Sequence, residues 1–114
     1  MKGRFGDQQR IGHAVDAIHD IEEYITNSTF TDFLANSMMR FACIKQLEII
    51  GEACNHIDGE TMAKYPEVEW RKLVGLRNLL VHEYFGVDEA LVWDIIQSNL
   101  PKLKSQLSAI LLDE

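Results

Sequence analysis

The chain has 114 residues, 46% hydrophobic and 25% charged, the composition of one ordinary globular domain, and a single domain over residues 1–114 is expected. A formal charge of -7 excludes a protein that coats nucleic acid through a broad basic surface, because phosphate affinity comes mainly from clustered Lys and Arg. Its apolar runs extend only a few residues, far short of the ~20 needed to cross a bilayer, and no signal-peptide pattern is visible, so a cytoplasmic protein is expected.

The first predicted helix runs from Asp7 to Thr26. Its apolar residues Ile11, Val15, Ile18, Ile21 and Ile25 recur at the three-or-four spacing of an amphipathic helix, while Asp16, Asp20, Glu22 and Glu23 lie opposite. His13 and His19 fall on the solvated part, too poorly spaced for a metal site, and His56 has no Cys or second His at metal spacing. Asn27, Ser28 and Thr29 break the pattern, and Thr31 or Asn27 would cap the next helix.

A second helix is predicted over Asp32 to Ile57, with Phe33, Leu34, Met38, Phe41, Ile44, Leu47, Ile50 and Cys54 forming a broad apolar stripe. Gly51 sits inside it at a cost of about 1 kcal/mol, which points to close packing against another helix. Cys43 and Cys54 on one helix lie roughly 16 Å apart at about 1.5 Å rise per residue, too far to bridge, so both are expected as reduced core residues. Asp58-Gly59 ends this helix, and Tyr65-Pro66 closes the loop.

The third predicted helix spans Glu67 to Tyr84, with Gly86 as its stop. Asp88 caps a fourth over Glu89 to Ser98, and Pro101 either kinks it or starts a fifth carrying Leu103, Leu107, Ile110 and Leu111. The expected fold is all-α, a bundle of four to five helices. Trp70 and Trp93 read as packing or interface anchors, since no basic stripe accompanies them as base-stacking platforms would require.

The third helix carries the chemistry. On a helical wheel Leu73, Val74, Leu80 and Val81 fall within about 60° of Arg77, so this arginine projects from an apolar face and needs an anion, a buried partner or a water-filled cleft. Asn78 and His82 are four apart and can hydrogen-bond, and Arg77 and Tyr84 return to nearly one direction after two turns. His82 lies about 140° from Arg77, so the two converge only through long side chains or a ligand. Taken singly, Arg77 could pair with Glu48 or Glu52 across the bundle, His82 could meet the last helix carbonyls, and Tyr84 could be a core-edge residue.

The stretch Arg77-Asn78-Leu79-Leu80-Val81-His82-Glu83-Tyr84 fits the R-x4-H-x-Y pattern of the HepT-type HEPN ribonuclease toxins. Leu47-Glu48-Ile49-Ile50-Gly51-Glu52-Ala53 resembles that family's second-helix segment, and Tyr84 to Asp88, Val92-Trp93 and Leu100-Pro101 resemble its C-terminal half. The resemblance implies a HEPN-like bundle, dimeric, with a metal-independent endoribonuclease site in the dimer cleft and no cofactor. It implies Arg77 as the phosphate-binding residue and His82 as general acid or base. Asn78 would support them by orienting His82 or a phosphate. It further implies tRNA or mRNA as substrate, and an MntA-like nucleotidyltransferase antitoxin that attaches AMP to Tyr84. The competing reading is a non-catalytic helical module that docks a nucleotidyltransferase or nucleotide through Arg77.

Overall fold

The computed structural model describes residues 2–82 and 88–113, with side chains described for 6–76 and 88–113. Among the described residues the secondary structure is helical: α1 (Lys2–Tyr24), α2 (Phe30–Ala35), α3 (Ser37–Asn55), α4 (Gly59–Lys64), α5 (Trp70–His82), α6 (Glu89–Asp94), a π-turn (Ile95–Asn99) and α7 (Leu100–Asp113). Four long rods make the bundle: α1, α3, α5, and the continuous run from α6 through the π-turn into α7. Helix α3 packs against both α1 and α5, and α7 closes on α1.

The periodicity of α1 sets the core. Ile11, Ile18 and Ile21 are buried, with Val15 and Ile25 packed half-buried at its edge, while His13 and His19 are exposed as expected. From α3, Cys43, Ile44, Leu47, Ile50, Gly51 and Cys54 are buried, and from α7, Leu100, Leu103, Leu107 and Ile110. Polar bonds tie the seams at their margins. Lys104 on α7 meets Glu22 on α1 at 2.7 Å, and Gln46 on α3 donates to Tyr24 at 3.1 Å.

Three local expectations change. The second predicted helix is two helices, α2 and α3, divided at Asn36, whose backbone is extended (φ -112°, ψ 95°). The Asn36 side chain accepts from the Met39 backbone N–H at 3.0 Å, a local bond that competes with helix continuation and caps α3. Arg40 then reaches back to donate to the Phe33 and Leu34 carbonyls at the end of α2.

The cap of α2 is Thr29, not Thr31 or Asn27. Thr29 accepts from the Asp32 N–H at 3.1 Å and Asp32 accepts from the Thr29 N–H at 2.9 Å, a reciprocal capping box. Asn27 instead takes the left-handed conformation (φ 60°) that turns the chain out of α1, a conformation asparagine tolerates better than most residues.

The segment between Asp58 and Tyr65 is the short helix α4 rather than loop. Asp58, its N-cap, makes no side-chain capping bond. Asp7 of α1 takes that place: its buried carboxylate accepts from the Asp58 N–H at 3.1 Å and from the Thr61 hydroxyl at 2.5 Å.

Asp88 caps α6 as expected, accepting from Ala90 and Leu91. Pro101 is the second residue of α7, the expected last helix, which follows the π-turn without a gap in the chain of helices. The turn before it widens, and the Leu100 N–H bonds the Ile95 carbonyl five residues back. Proline's ring clashes with the carbonyl four residues before it and offers no N–H, so a π-turn upstream accommodates both defects.

Candidate functional site

Helix α5 is anchored at its N-terminal end. Trp70 is buried, and its indole N–H donates to the Tyr65 carbonyl at 3.0 Å. Tyr65, also buried, donates its hydroxyl to Asp113 at the end of α7, and Gln106 of α7 donates to the Glu67 carbonyl at 3.0 Å. These bonds fix where α5 begins relative to α7. Trp70 is therefore a packing anchor, and so is Trp93, whose ring lies 5.0 Å from Phe33 and 6.1 Å from Phe30.

From that anchor α5 runs as one helix to His82, so Arg77, Asn78 and His82 share its C-terminal half. Their side chains lie outside the described residues, as does Tyr84 altogether. The expected Arg77 pairing to Glu48 or Glu52, and the Asn78–His82 bond, fall outside them for the same reason. Helix α3, which carries both glutamates, is the neighbour of α5. Glu52 sits 3.0 Å from His56 one turn on. The buried Gly51 lies on this same helix.

Among the described residues no cluster of three or more His, Cys, Asp or Glu is arranged to hold a metal ion. Both cysteines are free and buried, and burial pushes the Cys43 thiol up to about 11 and the Cys54 thiol up to about 12, so neither is a nucleophile at neutral pH. No described helix is long and apolar enough to cross a membrane.

The cations around α5 are unevenly placed. The helix carries Arg71, Lys72 and Arg77 and no acidic residue, in a chain with 18 Asp and Glu. Lys72 pairs with Glu69 at 2.7 Å, and this bond with the adjacent ammonium holds the Glu69 carboxyl below the usual carboxylate range. Lys72 and Lys102 both line a groove of about 260 Å³ between α5, the π-turn and α7, floored by Leu73, Leu76, Ile95 and Leu103. Sequence reading missed this groove. Lys72 and Lys102 belong to different helices, and no spacing rule connects them.

Comparison with known proteins places residues 14–110 within a family model described as "Ribonuclease HepT-like". A Methanocaldococcus jannaschii protein named as an RNase by inference is 38% identical over 96 residues, 84% of this chain and 88% of that one. A Thermococcus cleftensis protein named "Probable ribonuclease HepT" is 38% identical over 95 residues, 83% of this chain and 86% of that one. A second M. jannaschii protein, named as a gamma-glutamylcyclotransferase and, by inference, an RNase, is 35% identical over 101 residues; these are 89% of this chain but 46% of that longer protein. No solved structure matches at a significant level.

Proposed function

The chain belongs to the HepT-like ribonuclease family, and on that premise we propose that it is a metal-independent RNA endonuclease, the toxin of a toxin–antitoxin pair. The observation that carries the proposal is the Arg77-x4-His82-x-Tyr84 spacing within the family-matched stretch, its Arg and His on a helix that bears three cations and no acid.

In this reading His82 takes the proton from a ribose 2′-hydroxyl as that oxygen attacks the adjacent phosphorus. The bond from phosphorus to the 5′-oxygen breaks, and His82 of a second copy protonates the leaving oxygen. An imidazole with an ordinary pKa near 6.5 suits both roles at neutral pH. Arg77 binds the scissile phosphate with its planar fork and balances the charge that develops there. Asn78, four residues before His82, orients that imidazole or a phosphate.

Two copies meeting along this region form the cleft, a homodimer acting on tRNA or mRNA in the cytoplasm. An MntA-like nucleotidyltransferase is the antitoxin partner. Attachment of AMP to Tyr84 silences the enzyme, since each added phosphate competes with RNA for Arg77 and adds bulk to the cleft.

The test is cleavage of mixed tRNA and mRNA in excess EDTA, by protein whose intact mass shows no added AMP, beside folded Arg77→Ala and His82→Ala variants. Removing His82 is expected to slow cleavage by about 10²–10⁴-fold, the usual range for a general acid or base. Cleavage no greater than the variants' across several RNAs would sink the nuclease and leave a helical module that docks a nucleotidyltransferase or nucleotide.

A further inference from the structure

Three seams of the bundle, α7 on α1, α1 on α3 and α3 on α5, are packed helix to helix. The fourth, between α5 and the rod formed by the π-turn and α7, carries the groove of about 260 Å³. Its floor is apolar, its rim carries Lys72 and Lys102, and the π-turn contributes Ser98 and Asn99. We propose that this groove binds one nucleotide of single-stranded RNA beside the scissile position, its base on the leucine-lined floor and its phosphate between Lys72 and Lys102. The proposal rests on the ribonuclease reading and adds a substrate subsite to it.

Three observations converge on that occupant. The first is size. Pockets for drug-sized ligands run about 300–1,000 Å³, and the groove falls just below that range, as fits a single base.

The second is charge. Two lysines edge the groove in a chain of net charge -7, and α5 supplies cations without acids, which is complementary to phosphate. Single-strand sites pair cations that follow the backbone with a face on which a base lies; here that face is aliphatic rather than the usual aromatic platform.

The third is position. Leu73 lines the groove and lies one helical turn, about 6 Å, before Arg77 on the same helix. A strand engaging Arg77 reaches the groove with its neighbouring nucleotide. The Asn99 amide can donate to and accept from a base edge, which gives the subsite a means of preference.

Glu69 supplies a built-in test of sign. It also lines the groove and holds Lys72 at 2.7 Å, so in the free protein it competes with phosphate for that ammonium. Removing the lysines and removing Glu69 therefore have opposite effects on RNA, although all three side chains sit on one surface.

The experiment measures binding of a short fluorescent single-stranded RNA by anisotropy across a salt series, in a His82→Ala background to prevent cleavage. Lys72→Ala/Lys102→Ala is expected to weaken binding about tenfold at low salt. It should also lower the slope of log affinity against log salt by about 0.7, the value for one phosphate of a single strand. Glu69→Gln is expected to tighten binding severalfold. The control is Lys45→Ala/Lys64→Ala, which removes the same charge from α3 and α4, with circular dichroism confirming that every variant is folded.

Equal weakening by the groove pair and the control pair would overturn the proposal, and so would an unchanged affinity for Glu69→Gln. Loss of dimerisation in the groove pair with RNA affinity intact would also overturn it, assigning the groove to a protein interface. Cleavage by the otherwise wild-type protein separates the two readings. Cleavage with KM unaffected by the groove pair removes the subsite and leaves the ribonuclease. Groove-dependent binding without cleavage by unmodified protein removes the ribonuclease and leaves the subsite. Absence of RNA binding by the parent protein removes the subsite.

Discussion

Replacing Asp7 with alanine should be among the most damaging single polar substitutions in this chain. The Asp7 carboxylate is 3% exposed and accepts the Asp58 backbone N–H at 3.1 Å and the Thr61 hydroxyl at 2.5 Å, with Arg10 3.7 Å away. It thereby does for α4 what the N-cap Asp58 does not, and its negative charge sits favourably at that helix's start. A hydrogen bond to a charged group contributes about 1.5–3 kcal/mol net of desolvation. Two such bonds set an upper range of about 3–6 kcal/mol. Water entering the vacated space, where both donors are only part-buried, reduces the expected loss to about 2–4 kcal/mol. Domains of this kind are stable by about 5–15 kcal/mol, so the variant would lose a large share of its margin.

Urea unfolding followed by circular dichroism measures it. With a slope of about 2 kcal/mol per molar urea, the middle of the usual range, the midpoint should fall by roughly 1–2 M. A cycle with Thr61→Val should show a coupling of about 0.5–3 kcal/mol, since the two side chains share one bond. A loss below about 0.5 kcal/mol for Asp7→Ala, or strict additivity with Thr61→Val, would refute the assignment of Asp7 as the remote cap of α4.

The buried thiols predict an alkaline weakness. Below about pH 8.5, the unperturbed cysteine value, both are protonated folded or unfolded and stability is unaffected; above it the unfolded chain ionises first, so stability falls as pH rises toward the folded values of about 11 and 12. Urea midpoints at pH 8 and pH 10 should show this, with a smaller drop in Cys54→Ala, and a thiol reagent at pH 8 should label neither cysteine until the protein unfolds. Rapid native labelling would contradict their burial. Gly12 lies within α1 with nothing inside 4 Å of where a Cβ would stand, so Gly12→Ala should stabilise by about 0.5–1 kcal/mol; a lower melting temperature would show that this face of α1 is covered.

How much of the fold is legible in the chain depends on the range of the interaction concerned. The stripe of Ile11, Ile18 and Ile21 announces α1, because side chains three or four apart must share a face. Asp88 announces the start of α6 for an equally local reason, a side chain accepting from N–H groups two and three residues on. The break at Asn36 is masked because the apolar spacing of Phe33 and Leu34 runs on into Met38 and Phe41 as though the helix were unbroken. Helix α4 gives no periodic signal. It is six residues of mixed character held by a carboxylate 51 positions before Asp58.

The candidate site divides along the same line. The Arg77, His82 and Tyr84 pattern is a property of eight consecutive residues, and the family resemblance adds the Leu47–Ala53 segment and the C-terminal half, all of which can be read directly. So can the all-helical class, since each long helix advertises its buried face within a few turns. Only the tertiary structure decided that α3 stands between α1 and α5, that Asp7 caps a distant helix, and that Lys72 and Lys102 edge one groove. Local pattern records which faces are apolar. Which apolar face meets which, and what charged residues are left around the seam, is settled by packing the whole chain at once.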